Sequence, residues 1–98
     1  MKTLLETVLE TIRARRDDVE ARYGIRLVGV VGSVARGEEH VDSDVDVIID
    51  ITGTPSLFNL SDVKFELTQV LGREVDLVDR EAMRPRARAY IERDLVVA

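Results

Sequence analysis

Two aspartates one residue apart, Asp44 and Asp46, follow a Gly32-Ser33 pair in this chain. Side chains on a strand alternate between faces, so Asp44 and Asp46 on a strand point the same way, with Val45 and Val47 on the other face. Two carboxylates so placed repel each other in a partly buried site, and a divalent cation between them removes the repulsion. Mg²⁺ suits that place, because it prefers hard oxygen ligands and commonly takes one or two carboxylates plus substrate phosphates. Gly32 lets backbone approach a phosphate closely, N–H groups at a turn or helix start attract anions, and the Ser33 hydroxyl adds a donor. Arg36 can put a guanidinium against a phosphate oxygen. Asp76 offers a third carboxylate, on a segment where Glu74, Asp76 and Val78 share one face and Val75 and Leu77 the other. If that segment pairs beside the Asp44–Asp46 strand, three carboxylates suit two metal ions, one activating an incoming hydroxyl and the other holding a triphosphate.

The elements that must position these groups are legible as alternating helices and strands. Leu4, Leu5, Val8, Leu9, Ile12, Val19 and Tyr23 recur at helical spacing, which predicts a helix over about Thr3 to Tyr23 closed by Gly24. Ile25 to Val31 is β-branched and apolar, a buried strand, with Gly29 marking a bulge or a close backbone approach. Asp44 to Ile51 is a second strand. Thr54 as cap and Pro55 at the first turn then open a helix carried by Leu57, Leu60, Val63, Leu67, Val70 and Leu71 and closed by Gly72. Arg73 to Val78 is a third strand, and Glu81 to Arg93 is largely helical with Pro85 interrupting it. Leu95 to Ala98 is too short to assign. The pattern predicts one α/β (α+β) domain over residues 1–98, with a small mixed sheet of three or four strands flanked by helices.

Composition narrows the chemistry. With 98 residues and 45% hydrophobic content the chain is one small folded domain. The absence of cysteine excludes disulfides, thiolate zinc sites and cysteine nucleophiles. The formal net charge of −5 disfavours direct binding to nucleic acid, and two Phe, two Tyr and no Trp make a poor base-stacking platform. No stretch reaches transmembrane length and no signal-peptide pattern opens the chain, so a cytoplasmic location is the default expectation.

Gly32-Ser33-Val34-Ala35-Arg36-Gly37, followed by Ser43-Asp44-Val45-Asp46, resembles the signature of the DNA polymerase beta nucleotidyltransferase superfamily. Within it the chain resembles the minimal nucleotidyltransferases, the antitoxin partners of HEPN ribonuclease toxins. Gly72 to Val78 is similar to that family's third-strand element, and Arg84-Pro85-Arg86 to its C-terminal part. The resemblance implies a nucleotidyltransferase-like fold. It implies Asp44, Asp46 and Asp76 as catalytic metal ligands for Mg²⁺, and Gly32 and Ser33 as the triphosphate site. It also implies transfer of AMP from ATP to a tyrosine of a HEPN-type toxin, which silences the toxin.

Simpler readings stand beside these. A Gly-Ser pair after a strand is most often a turn, and Asp-x-Asp alone is common at strand ends; the combination is what carries weight. Asp76 can be a surface aspartate, and Arg36 can pair with Glu38 or Glu39. Asp42 and Asp50 read as solvated flanks and His40 as a loop residue. The arginines from Arg80 to Arg93 read as a solvated or partner-facing helix surface. Three functions compete: a nucleotidyltransferase acting on a protein acceptor, a binding module that neutralises a toxin by occupying it, and a small-molecule nucleotidyltransferase completed by a homo- or hetero-oligomer. The short chain leaves little room for an acceptor pocket, which favours a macromolecular acceptor.

Overall fold

A computed structural model describes residues 1–98. The long first helix, α1 (Leu4–Tyr23), begins where the Thr3 hydroxyl accepts from the Glu6 N–H and ends at Gly24. Strand β1 (Ile25–Val31) follows, then a short helix α2 (Gly32–Arg36) and strand β2 (Val45–Ile51). Helix α3 (Leu57–Leu71) leads into strand β3 (Val75–Asp79), a 3-10 turn (Arg80–Ala82), helix α4 (Pro85–Glu92) and strand β4 (Val96–Val97).

The sheet has four strands in the order β3-β2-β1-β4. It is mixed: β2 and β3 run parallel, joined by α3, whereas β1 is antiparallel to both β2 and β4. Val45, Val47 and Ile49 of β2 face α1 and α3, where they join Val8, Ile12, Val19, Leu27, Val63, Leu67 and Val75 in one apolar core. Burial of these aliphatic side chains supplies most of the driving force for a domain of this size. The alternate residues Asp46, Ile48 and Asp50 face the other side, where Ile48 is fully buried and where Tyr90 and Ile91 of α4 line a cleft together with Asp46.

Gly29 does both things its place in the sequence suggests. The β1–β2 register shifts between Leu27 and Gly29, so the strand bulges at Val28. A Cβ at residue 29 would lie 2.2 Å from the Val96 carbonyl oxygen, so glycine is what lets β4 close on the sheet. β4 is held further by Ala98 N–H to Val28 O at 3.0 Å and Arg16 Nη2 to Ala98 O at 2.7 Å.

Three expectations need correction. The α3 cap is Ser56, not Thr54: Ser56 Oγ accepts from Asn59 N–H while Asn59 Oδ1 accepts from Ser56 N–H, a reciprocal box that leaves Pro55 outside the helix. Asp50 is no solvated flank; its two carboxylate oxygens take Nε and Nη2 of Arg80, both at 2.9 Å. The arginine-rich segment is therefore only partly a free surface. Arg80 and Arg88 are tied down, Arg88 by Glu81 and Glu92, while Arg84, Arg86 and Arg93 remain exposed. No helix is long and apolar enough to cross a membrane.

Candidate active site

The parallel pairing of β2 with β3 sets Asp46 directly opposite Asp76. The antiparallel pairing of β2 with β1 sets Val31, the last residue before Gly32, opposite Asp46 on the other side. Asp46 therefore stands in the middle of a row, with Gly32-Ser33 on one flank and Asp76 on the other. The pairing that brings Asp76 beside the Asp44–Asp46 strand is thus realised.

Gly32 opens α2 at φ +80°, a backbone region that L side chains rarely adopt. A Cβ there would lie 2.7 Å from Asp46 Oδ2. The bare Cα leaves the carboxylate room to sit against the turn. Ser33 is half-buried beside it, its carbonyl accepting the N–H of Glu38 at 2.8 Å.

Asp44 lies one residue before β2 and is exposed. The loop that delivers it is pinned by two groups. Ser43 Oγ accepts from His40 N–H at 2.7 Å, and Arg73 Nη1 donates to the carbonyls of His40 at 2.9 Å and Ser43 at 3.2 Å. His40 thus serves the loop through its backbone and stays exposed, and Asp42 is also exposed.

Burial raises the Asp46 carboxyl above its ordinary value, and the negative charges of Asp76 and then Asp44 push it further the same way. That is the electrostatic sign of a site short of positive charge. The oxygen-only donors and the room at Gly32 fit a hard divalent cation. No three His, Asp or Glu side chains converge into a cage on their own. A cation held by Asp44, Asp46 and Asp76 would complete its shell with substrate phosphate oxygens and water, the habit of Mg²⁺.

Arg36 stands where it lines one cleft with Gly32 and Asp46, but its guanidinium is engaged. Nε donates to Glu38 Oε2 at 3.1 Å and Nη1 to Asp94 Oδ2 at 2.9 Å. Glu38 was an anticipated partner; Asp94, which follows α4, was not. Sequence reasoning also missed Arg73 and Lys64. Lys64 Nζ lies 3.1 Å from Glu74 Oε1 and 3.5 Å from Asp76 Oδ1, on the outer side of β3. Neither cation carries a local sequence signal, because each meets its partners through the fold.

A glycine-opened turn thus lies beside carboxylates on two adjacent strands of a small mixed sheet. The profile of the nucleotidyltransferase domain family matches residues 12–98, and the chain belongs to that family. Within it the chain is a minimal nucleotidyltransferase. It is 34% identical over 92 residues to Protein adenylyltransferase MntA of Thermococcus cleftensis, covering 94% of this chain and 93% of the relative. It is 33% identical over 97 residues to a Methanocaldococcus jannaschii protein provisionally named a protein adenylyltransferase, covering 98% of each. A solved structure described provisionally as a minimal nucleotidyltransferase superposes with a TM-score of 0.70 at 40% identity, over 90% of this chain and 93% of that one. The fold recurs in the crystal structure of a toxin-antitoxin with AMP-PNP, with a TM-score of 0.57 at 22% identity, over 72% of this chain and 59% of that one.

Proposed function

We propose that this chain is the antitoxin of a toxin–antitoxin pair, transferring AMP from ATP to a tyrosine hydroxyl of a HEPN-type ribonuclease toxin and so neutralising it in the cytoplasm. The observation that carries the reading is the row Gly32–Asp46–Asp76: a carboxylate pair on adjacent strands, with a bare glycine Cα against one member. The name of the Thermococcus relative supports a protein acceptor, and the AMP-PNP complex supports an adenine nucleotide donor.

In this reading Gly32 and Ser33 receive the triphosphate, and Arg36 exchanges Asp94 for a phosphate oxygen. Asp44, Asp46 and Asp76 would hold Mg²⁺, which we take to be two ions. Bound Mg²⁺ supplies charge neutralisation at the phosphates. The acceptor oxygen attacks the α-phosphorus in line. A new P–O bond forms as the bond to the bridging oxygen breaks, and pyrophosphate leaves with that electron pair. The tyrosine proton departs toward Asp76, on the side of β2 away from Gly32. Positioning and electrostatic stabilisation provide most of the rate, as in other phosphoryl-type transfers.

The test is incubation with ATP labelled at the α-phosphate, Mg²⁺ and a candidate HEPN-type toxin. Label on the toxin is expected with the native chain and not with Asp44→Ala/Asp46→Ala. Equal labelling by both proteins overturns the reading.

A second reading, neutralisation by stoichiometric binding, is favoured by the exposed apolar side chains of α3, where Leu57 and Phe58 are 80% and 82% exposed. Protection of toxin-expressing cells by the double aspartate variant, at native levels, would support it.

A further inference from the structure

The arginines of the C-terminal segment are unevenly neutralised. Residues 80–94 hold five arginines against three acidic side chains, in a chain whose formal net charge is −5. All three acids are taken: Glu81 and Glu92 by Arg88, and Asp94 by Arg36. Arg80 takes Asp50. Arg84, Arg86 and Arg93 are left exposed, with no ion-pair partner.

Two of these three share a helix face with an aromatic ring. Ala89, Tyr90 and Arg93 follow Arg86 by three, four and seven residues, a spacing that sets all four on one side of α4. They line a groove of about 250 Å³. Tyr90 is 69% exposed, and the Arg93 guanidinium lies 6.0 Å from its ring centre. Tyr90 also lines the cleft that holds Gly32, Arg36 and Asp46. The basic groove and the candidate active site therefore meet at one side chain, on the face of the sheet that carries Asp46.

We propose that this face of α4 is the docking surface for an acidic segment of the acceptor polypeptide. The inference rests on the nucleotidyltransfer reading and adds how the acceptor is held. Asp44, Asp46 and Asp76 concentrate negative charge at the site, so an acidic segment is repelled there and attracted to α4. That opposition fixes the register of the docked chain. Its carboxylates lie on Arg84, Arg86 and Arg93, and a neighbouring part of the polypeptide reaches the mouth of the Gly32 cleft past Tyr90. Guanidinium forks take carboxylates bidentately, and the Tyr90 ring adds apolar contact between them. Nucleic acid fits the same arginines less well. A phosphate backbone crossing α4 would meet the site carboxylates on an acidic domain, and one tyrosine is not a stacking platform.

Two measurements on the full chain test this. The first is transfer from labelled ATP to a candidate HEPN-type toxin by the native chain, by Arg86→Glu/Arg93→Glu and by Arg13→Glu. Arg13 is the control, an exposed arginine of α1 with no ion-pair partner, on the other side of the sheet. KM for the toxin is expected to rise roughly tenfold or more in the double variant and by less than about twofold in Arg13→Glu, with KM for ATP within about twofold of native in both. The native KM for the toxin is expected to rise with salt, and that dependence to flatten in Arg86→Gln/Arg93→Gln. A toxin KM unmoved by the charge reversal, an equal rise in Arg13→Glu, or an equal rise in KM for ATP overturns the docking surface. Absence of transfer by the native chain counts instead against the functional reading beneath it. The second measurement needs no transfer. Hexaglutamate titrated into the chain is expected to shift the NMR amide signals of Arg86, Ala89, Tyr90 and Arg93, and to lose that effect in the double variant. Stronger shifts of the same amides by hexa-adenylate RNA, or no hexaglutamate shift at α4, overturn the proposal.

Discussion

A Cβ on Gly32 would lie 2.7 Å from Asp46 Oδ2. A side chain at residue 32 would thus compete with the Asp46 carboxylate for one volume. Gly32→Ala meets two penalties, the φ of +80° and the carboxylate. The backbone penalty is about 1–2 kcal/mol, and the clash is relieved by swinging Asp46 aside, since its side chain is free to turn. The expected outcome is a folded protein with a modestly lowered Tm and transfer reduced by ~10²-fold, the scale of a small misplacement at a reacting centre. Differential scanning calorimetry and a transfer assay on one preparation check it; native activity with lowered Tm would contradict it.

Asp46 also sets a pH and metal dependence. Burial, then Asp76, then Asp44 raise its carboxyl in the folded state above the value it has in the unfolded chain. The folded chain therefore binds more protons than the unfolded chain between those two values, and Asp46 costs stability as pH rises through that window and above it. Without divalent cation, Asp46→Asn should melt higher than native at neutral pH, and the advantage should vanish below the ordinary carboxylate range. Mg²⁺ should raise the native Tm by binding the folded state and leave Asp46→Asn little changed. Thermal melts in EDTA and in Mg²⁺ decide this; an Asp46→Asn protein less stable than native in neutral EDTA would refute it.

Arg73 positions Asp44 at a distance. Its guanidinium holds the His40 and Ser43 carbonyls, and it is 30 residues beyond Ser43 in the chain. Arg73→Ala should lower Tm only slightly, by the ~1 kcal/mol of a partly exposed hydrogen-bonded group, and should raise the Mg²⁺ concentration needed for half-maximal transfer. Arg73→Lys, which keeps the charge but loses the planar fork, should recover only part of this. A Mg²⁺ dependence identical to native in Arg73→Ala would contradict the assignment.

The Asp50–Arg80 pair anchors the chain where it leaves β3 for the 3-10 turn and α4. Both side chains are about one-fifth exposed and the bonds are bidentate, so loss of Arg80 leaves a half-buried carboxylate unpaired. Arg80→Ala should cost about 1–3 kcal/mol, and the double variant Arg80→Ala/Asp50→Ala less than the sum of the two. Hydrogen exchange should show α4 opening more readily, because Arg80 stands in the turn that leads into it and also lies 3.9 Å from Glu92 of α4. Additive single effects would remove the coupling.

Much of the site could be read from the chain because it depends on local rules. Alternation along a strand predicts Asp44 and Asp46 on one face, but β2 begins only at Val45 and Asp44 is delivered by the preceding loop; a helix between two strands makes their parallel pairing the natural outcome, which carries Asp76 to Asp46. Gly29 was legible for the same reason: an isolated glycine inside an apolar strand asks for a bulge or a close approach, and here it has both. β4 was not, because two paired residues have no period to detect; its strand character is imposed by β1. Thr54, Pro55 and Ser56 are all plausible helix starts, and only the reciprocal bond with Asn59 selects Ser56. The partners of Arg36, Arg73 and Arg80 lie outside any local pattern, since Asp94 is 58 residues from Arg36 and Asp50 is 30 from Arg80.

The central claim is nucleotide transfer to a partner through Asp44, Asp46 and Asp76. Its most direct measurement is the intact mass of the toxin purified after co-expression with this chain, followed by peptide sequencing in the mass spectrometer. The account predicts a gain of AMP on a tyrosine, present with the native chain and absent with Asp46→Ala. An unmodified toxin that is nonetheless inactive and bound to the native chain would contradict it.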